Sequence, residues 1–125
     1  NNSAVKEWIV KAQDDELSIR AILADESGAP STGCFLAQQM AEKYLKAFLV
    51  AHSQEFPKIH QLDSLLALCG AVDPRFEQLH EDCISLNDYY IETRYPGDCP
   101  QFTFQEAKEA FRKAIVIKDF IVEKI

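Results

Sequence analysis

The amino-acid sequence predicts an all-α protein, an up-and-down antiparallel four-helix bundle with a short accessory helix, five helices in total. Apolar residues recur every three or four positions through most of the 125 residues, which is the repeat of a helix face, and no stretch alternates convincingly as a strand. Glycine and proline (four and five residues) are few, and they fall mainly between the periodic segments. At this length we expect a single domain, 1–125.

The first two helices are predicted on either side of a glycine and proline break. Helix 1 is expected over residues 3–26, because Gly28 and Pro30 end it, and helix 2 over residues 31–53. The predicted buried faces are Trp8, Ala12, Ile19, Ile22 and Leu23 on helix 1, and Cys34, Ala37, Ala41, Leu45, Phe48 and His52 on helix 2.

The third and fourth helices are predicted from their terminal residues. Helix 3 is expected over residues 62–69, with Gly70 as a left-handed C-terminal cap. Helix 4 is expected to begin with Asp73 as N-cap and Pro74 in the first turn, and to continue to about Arg94. Its predicted inner face is Phe76, Leu79, Cys83, Leu86 and Tyr90.

Helix 5 is predicted to follow the proline- and glycine-containing segment 95–100, which cannot continue a helix. Thr103 and Glu106 have the spacing of a capping box, so the helix should begin there. Its predicted inner face is Ala107, Phe111, Ala114, Ile117 and Ile121.

Charge restricts the possible partners. The formal net charge is −7, which argues against a surface that coats DNA or RNA. Residues 61–100 contain eight acidic and two basic side chains, so any phosphate contact must be local.

Cysteine usage and the apolar runs indicate a cytoplasmic protein. No run is long enough to span a bilayer, and the first residues lack the basic-then-apolar pattern of a secretion signal, so no membrane association is expected. The four cysteines (Cys34, Cys69, Cys83 and Cys99) are far apart, and we interpret them as reduced thiols. Their spacing matches no usual zinc pattern, and no metal or cofactor is expected.

Polar residues on helix 2 form the first candidate site. Gln38 and Glu42 are one turn apart, as are Gln39 and Lys43, so each pair shares a helix face. These rows could be a solvated face with local pairing. Alternatively, the Gln38–Glu42 row borders a polar groove facing helix 1, where Asp15 interrupts the apolar stripe.

The other candidates lie in irregular segments. His60 at a helix start could be a cap or packed side chain, or could bind a ligand or transfer a proton. Arg94 stands in an acidic stretch beside Tyr90 and Tyr95. It could offset a helix dipole, or its planar fork could bind a phosphate while the tyrosines stack on a base.

The sequence lacks the common catalytic motifs of several enzyme classes. It has no glycine-rich phosphate loop, no H-E-x-x-H and no serine-nucleophile motif.

Four segments in order resemble HEPN domains. Residues 34–47 (CFLAQQMAEKYLKA) look like the second helix of that family. Residues 12–15 (AQDD) are similar to the family's A-x-x-D, and residues 56–62 (FPKIHQL) and 92–98 (ETRYPGD) follow in the expected order. The resemblance covers nearly the whole chain and implies a single helical HEPN-like domain that commonly forms homodimers.

The resemblance also implies function. Family members associate with nucleotides or RNA, often beside a minimal nucleotidyltransferase in toxin–antitoxin-like pairs. Catalytic members are metal-independent ribonucleases that use Arg-x(4–6)-His, usually with a polar residue directly after the Arg. Arg94 occupies the corresponding place, but Tyr95 follows it and no histidine lies after His80. Arg75 and His80 match the bare spacing, but a regular helix would place them about 140° apart.

The resemblance therefore implies a non-catalytic HEPN-type protein that acts with a minimal nucleotidyltransferase and holds a nucleotide or an RNA end. Arg94 would hold a phosphate, Tyr90 or Tyr95 would stack on a base, and His60 with Asp15 and Gln38 would complete a polar groove. The alternatives are a ribonuclease toxin, using Arg75 and His80 or a recruited His60, and a structural dimer without a ligand. A homodimer is expected around helix 4, because five aromatics in sixteen residues exceed what one bundle can bury. They are Tyr89, Tyr90, Tyr95, Phe102 and Phe104.

Overall fold

A computed structural model describes residues 2–90 and 101–125, and within these ranges the chain is helical with no strand. The α-helices are α1 (Asn2–Ala24), α2 (Pro30–Ala51), α3 (Leu62–Val72), α4 (His80–Asn87) and α5 (Phe104–Val122), and a 3-10 helix (Pro74–Leu79) precedes α4. The predicted all-α fold is confirmed. Within the described ranges no helix is both long and apolar enough to cross a membrane.

Helix α2 lies at the centre of the fold. It packs against α1, α3, α4 and α5, and 13 of its 22 residues are buried. Apolar side chains lie on several faces of α2, and a helix that is apolar on every face can pack against neighbours on every face. Gly33 brings α2 close to α5, since a Cβ added there would lie 3.3 Å from the Cβ of Ala107.

The break between α1 and α2 is a left-handed turn. Glu26 and Gly28 have φ values of 52° and 80°, and Pro30 takes a first-turn position of α2. A glycine adopts this backbone region without steric penalty, and a proline there loses no helical hydrogen bond. Glycine and proline therefore set this boundary as predicted, within two residues.

The region of predicted helices 3 and 4 differs from the sequence-based prediction. Helix α3 passes through Gly70 and ends at Val72, so Gly70 is not its C-terminal cap. Asp73 caps the next segment as predicted, accepting a hydrogen bond from the Arg75 backbone N–H, but six residues of 3-10 helix follow before α4 begins. Helix α4 ends at Asn87 and does not continue to the region of Arg94.

Most residues of the predicted inner faces are buried, but Trp8, Ile22, Leu23 and Phe111 are half-buried, and two further residues lie outside their predicted helices. His52 lies just beyond the end of α2 and is exposed, with its ring 4.3 Å from that of Phe48. Tyr90 lies beyond α4 and is half-buried. Cys34, Cys69 and Cys83 are buried free thiols, and burial raises the pKa of the Cys69 thiol to about 12. Cys99 lies outside the described residues.

Glu16 links the first and last helices. One carboxylate oxygen accepts from the Lys118 ammonium of α5 at 2.8 Å, and the other accepts two bonds from the Arg20 guanidinium. Burial raises the pKa of Glu16, but the hydrogen bonds from Lys118 and Arg20 outweigh it, so the net shift is downward. The ionised form of Glu16 therefore stabilises the fold.

We expect Glu16→Gln to lower the free energy of unfolding by roughly 1–3 kcal/mol at neutral pH, because a partly buried charged hydrogen-bond network is lost. Because the pKa of Glu16 is lower in the folded than in the unfolded state, its ionised form stabilises the fold at pH values above the unfolded-state pKa. This stabilisation is lost as the pH falls through the folded-state pKa. The difference between wild type and variant should therefore shrink in acid, measured by urea unfolding across a pH series. Glu109→Gln, which removes an exposed pair with Arg112, is the control and should change stability by less than about 0.5 kcal/mol. A Glu16→Gln effect as small as that of the control would contradict the assignment.

Candidate functional site

The Glu42 carboxylate on α2 is the centre of a buried polar cluster. Its Oε2 atom accepts a hydrogen bond from the Lys46 ammonium at 2.8 Å and lies 3.0 Å from Nδ1 of His60. Its Oε1 atom accepts from the side-chain amides of Gln38 at 3.2 Å and Gln39 at 3.4 Å. Only 4% of Glu42 is exposed, and Gln38 is fully buried.

Helix geometry assembles most of this cluster. Gln38 and Lys46 lie four residues before and after Glu42, so all three share one face of α2. A buried carboxylate must be paired and hydrogen-bonded to be tolerated, and its two oxygens can accept about four bonds. Throughout the described ranges no buried side-chain nitrogen or oxygen lacks a partner.

His60 reaches the cluster from the segment between α2 and α3. Three contacts hold it: Nδ1 faces Glu42, its backbone carbonyl accepts from the Gln38 amide at 3.1 Å, and its ring stacks on Tyr90. The two ring centroids are 4.4 Å apart, and the ring planes differ by 13°. The His60 side chain remains 42% exposed, so the cluster includes a solvent-accessible group of defined orientation.

A small depression lies beside the stacked rings. It has a volume of about 180 Å³ and is lined by His60, Gln61, Asn87 and Tyr90. Asn87 fixes one wall, because its carbonyl oxygen accepts from the Leu62 backbone N–H at 2.6 Å. Its amide also donates to the Asp63 carboxylate at 2.6 Å, so Asn87 joins the end of α4 to the start of α3.

Aromatic side chains cover the other side of the cluster. The Lys46 ammonium lies 5.4 Å from the Trp8 ring centroid and 5.9 Å from that of Phe56, within cation–π range. The two rings also contact each other edge-on at 6.4 Å. Phe56 thereby attaches the segment that contains His60 to α1 and α2.

Asp15 and Lys43 form a separate ion pair between α1 and α2, with a distance of 2.5 Å. Burial raises the pKa of Asp15 and outweighs the opposing effect of Lys43, and the charges of Asp14 and Glu42 raise it further. Lys43, not Gln38, is thus the partner of Asp15 across the helix interface. Because Gln38 and Glu42 are buried, the interpretation of this row as a solvated face is wrong.

The structure brings together four of the predicted site residues, namely Gln38, Glu42, His60 and Tyr90. The predictions for Arg94 and Tyr95 lie outside the described residues. The sequence interpretation did not assign Lys46 or Asn87 to the site. The spacing of Lys46 from Glu42 could have indicated the first, whereas nothing local indicates the second.

Arg75 and His80 are not brought together. The Arg75 guanidinium is bound by the Asp73 carboxylate on the exposed surface, at 2.8 and 3.0 Å. Arg75 and His80 line different depressions, the first beside the end of α2 and the second beside α3. In the described ranges no three His, Cys, Asp or Glu residues are grouped so that they could hold a metal ion.

We expect Glu42→Met to lower the free energy of unfolding by roughly 3–5 kcal/mol, because it leaves the buried Lys46 ammonium without its carboxylate. Glu42→Met/Lys46→Met should recover most of this loss, since two flexible apolar side chains replace the pair. Chemical denaturation of the wild type, both single variants and the double variant closes the thermodynamic cycle. Additive effects of the two single substitutions would contradict the coupling.

Comparison with known proteins identifies the fold. The family model described as HEPN domain matches residues 5–125. The crystal structure of TT1696 from Thermus thermophilus superposes with a TM-score of 0.81 at 35% identity, over 97% of this chain and 98% of that one. The structure of ST0689, an archaeal HEPN homologue, superposes with a TM-score of 0.77 at 26% identity, over 96% of each chain. No curated protein matches the sequence.

Proposed function

Because this chain belongs to the HEPN family, we propose that it is a non-catalytic nucleotide- or RNA-binding protein that acts with a minimal nucleotidyltransferase in a toxin–antitoxin-like pair. The observation that carries the proposal is the half-exposed His60 ring, stacked on Tyr90 and oriented by the buried Glu42. A buried carboxylate that orients a partly exposed imidazole supports a binding role for that ring.

The stacked rings suit a nucleobase or ribose. Aromatic faces bind bases with little dependence on sequence, and His60 adds a ring nitrogen that can form a hydrogen bond. A depression of about 180 Å³ holds one part of a nucleotide and not the whole molecule. The remaining parts of the ligand must then contact residues beyond the depression.

Arg94 is the proposed phosphate ligand. It is the only basic residue between Arg75 and Lys108, and it follows Tyr90 by four positions. Four residues span at most roughly 14 Å, so one nucleotide could contact both the stacked rings and the guanidinium. Arginine's planar fork can bind two phosphate oxygens at once.

The homodimer and the nucleotidyltransferase partner remain part of this proposal. Three of the five aromatics already have contacts within the chain: Tyr89 packs edge-on against Phe102 with ring centroids 5.0 Å apart, and Tyr90 stacks on His60. All four of the described aromatics are only half-buried, which leaves apolar surface for a partner.

We expect His60→Ala and Arg94→Ala each to weaken ribonucleotide binding by about tenfold or more, since each removes a stacking or charge-assisted contact. Arg94→Lys should restore only part of the affinity, because an ammonium lacks the planar fork. Calorimetry with the four ribonucleoside 5′-monophosphates measures this. His52→Ala and Arg75→Ala are matched controls, because they remove an exposed histidine and an arginine outside the site and should leave affinity unchanged. Equal ribonucleotide affinity in wild type and Arg94→Ala would contradict the assignment of Arg94 as the phosphate ligand.

The purified protein should not cleave RNA above background. Arg75 is neutralised by Asp73, whose pKa is lowered to about 2 by hydrogen bonds from the side chain and backbone of Arg75. No histidine follows Arg94, so the arginine–histidine spacing of the family's ribonucleases is not completed there. Incubation with end-labelled single-stranded RNA tests this. Cleavage that disappears in both Arg75→Ala and His80→Ala would establish the ribonuclease alternative.

A further inference from the structure

We infer that Glu42 is a positioning residue that holds His60 with its proton on Nδ1. The Nε2 atom of His60 then presents a hydrogen-bond acceptor to the depression. The group that binds there is a hydroxyl or amino donor of a ribonucleoside and not its phosphate. This inference rests on the proposed function and adds to it the chemical group that occupies the depression.

The tautomer follows from the groups around the carboxylate. Lys46, Gln38 and Gln39 all donate to Glu42, so the carboxylate is surrounded by donors and acts only as an acceptor. Its Oε2 atom lies 3.0 Å from Nδ1 of His60, which must therefore carry the hydrogen of this bond. In the neutral form of the imidazole one nitrogen donates and the other accepts, so in that form Nε2 carries the free lone pair.

The orientation of the ring follows from its other contacts. Stacking on Tyr90 fixes the ring plane, and the bond from Gln38 to the His60 carbonyl fixes the backbone beneath it. Turning the ring over would place a carbon against Glu42 and lose the buried bond. Because the side chain is 42% exposed while Nδ1 faces a buried group, the Nε2 edge is the one available to a ligand.

The surroundings of the depression disfavour a phosphate. Of the four described residues that line it, none is a lysine or arginine. The N-terminus of α3, which carries a partial positive charge, is already compensated within the chain. Asn87 accepts a hydrogen bond from the Leu62 backbone N–H, and Asp63 lies in the first turn. A phosphate in the depression would meet no lysine or arginine among these four residues, and Asn87, one of them, is hydrogen-bonded to the Asp63 carboxylate. A ribose hydroxyl or an exocyclic amine carries no charge and can donate to Nε2.

The ligand therefore has a defined polarity. Its nucleoside end lies against His60 and Tyr90, and its phosphate end lies away from the depression. Removing the phosphate should weaken binding without abolishing the contact with His60.

Nitrogen-15 NMR of the imidazole tests the positioning role without any ligand. At alkaline pH, where histidine is neutral, wild type and Lys46→Met should show His60 in the Nδ1–H form, because both keep Glu42. Glu42→Met/Lys46→Met should shift it to the Nε2–H form, which dominates in free imidazole side chains. Urea unfolding verifies that each variant folds. If the double variant keeps the Nδ1–H form, the positioning role is overturned whether or not nucleosides bind.

Titration with adenosine, cytidine, guanosine, uridine and inorganic phosphate tests the ligand class. We expect at least one nucleoside to shift the His60 Nε2 resonance, and to bind Lys46→Met about tenfold or more tightly than the double variant, the effect of losing one good hydrogen bond. Inorganic phosphate should leave Nε2 unmoved. A shift with phosphate alone would overturn the ligand class. If no nucleoside binds the wild type while the tautomers behave as expected, the proposed function and the ligand class are contradicted. The positioning role of Glu42 is then still supported.

Discussion

The buried Glu42 carboxylate is the constraint on which the rest of the site depends. An ionised carboxylate inside a helical core is tolerated only when its lone pairs are filled and its charge is balanced. Lys46 supplies the charge, Gln38 and Gln39 supply amide bonds, and His60 supplies the fourth donor. The fourth donor comes from outside α2, so the need to satisfy this carboxylate also positions the segment between α2 and α3.

That segment in turn determines the position of neighbouring elements. His60 provides the surface on which Tyr90 stacks, and Leu62 begins α3 under a cap from Asn87. The middle of α2, the end of α4 and the start of α3 therefore meet at one place. The chain's net negative charge does not by itself exclude a nucleotide from this place, because the Glu42 carboxylate is already neutralised by Lys46 and the His60 side chain is 42% exposed.

The sequence predicted the fold well and the site in part, for physical reasons. Apolar periodicity and the Gly28–Pro30 break are local features, as is the capping box of Thr103 and Glu106, so the positions of α1, α2 and α5 could be predicted. The position of the short α4 could not be predicted, because a six-residue 3-10 helix and a six-residue α-helix have nearly the same pattern of apolar residues. The Glu42–His60 bond joins residues eighteen positions apart, and only the packed structure shows that Gln38 faces His60 while Lys43 faces Asp15.

The most direct test of this account is an amide NMR titration of the isotopically labelled protein with the four ribonucleoside 5′-monophosphates. Binding at the site organised by Glu42 should give the largest shift changes at His60, Gln61, Asn87 and Tyr90. Largest changes around Arg75 and His80, or no change at millimolar nucleotide, would contradict it.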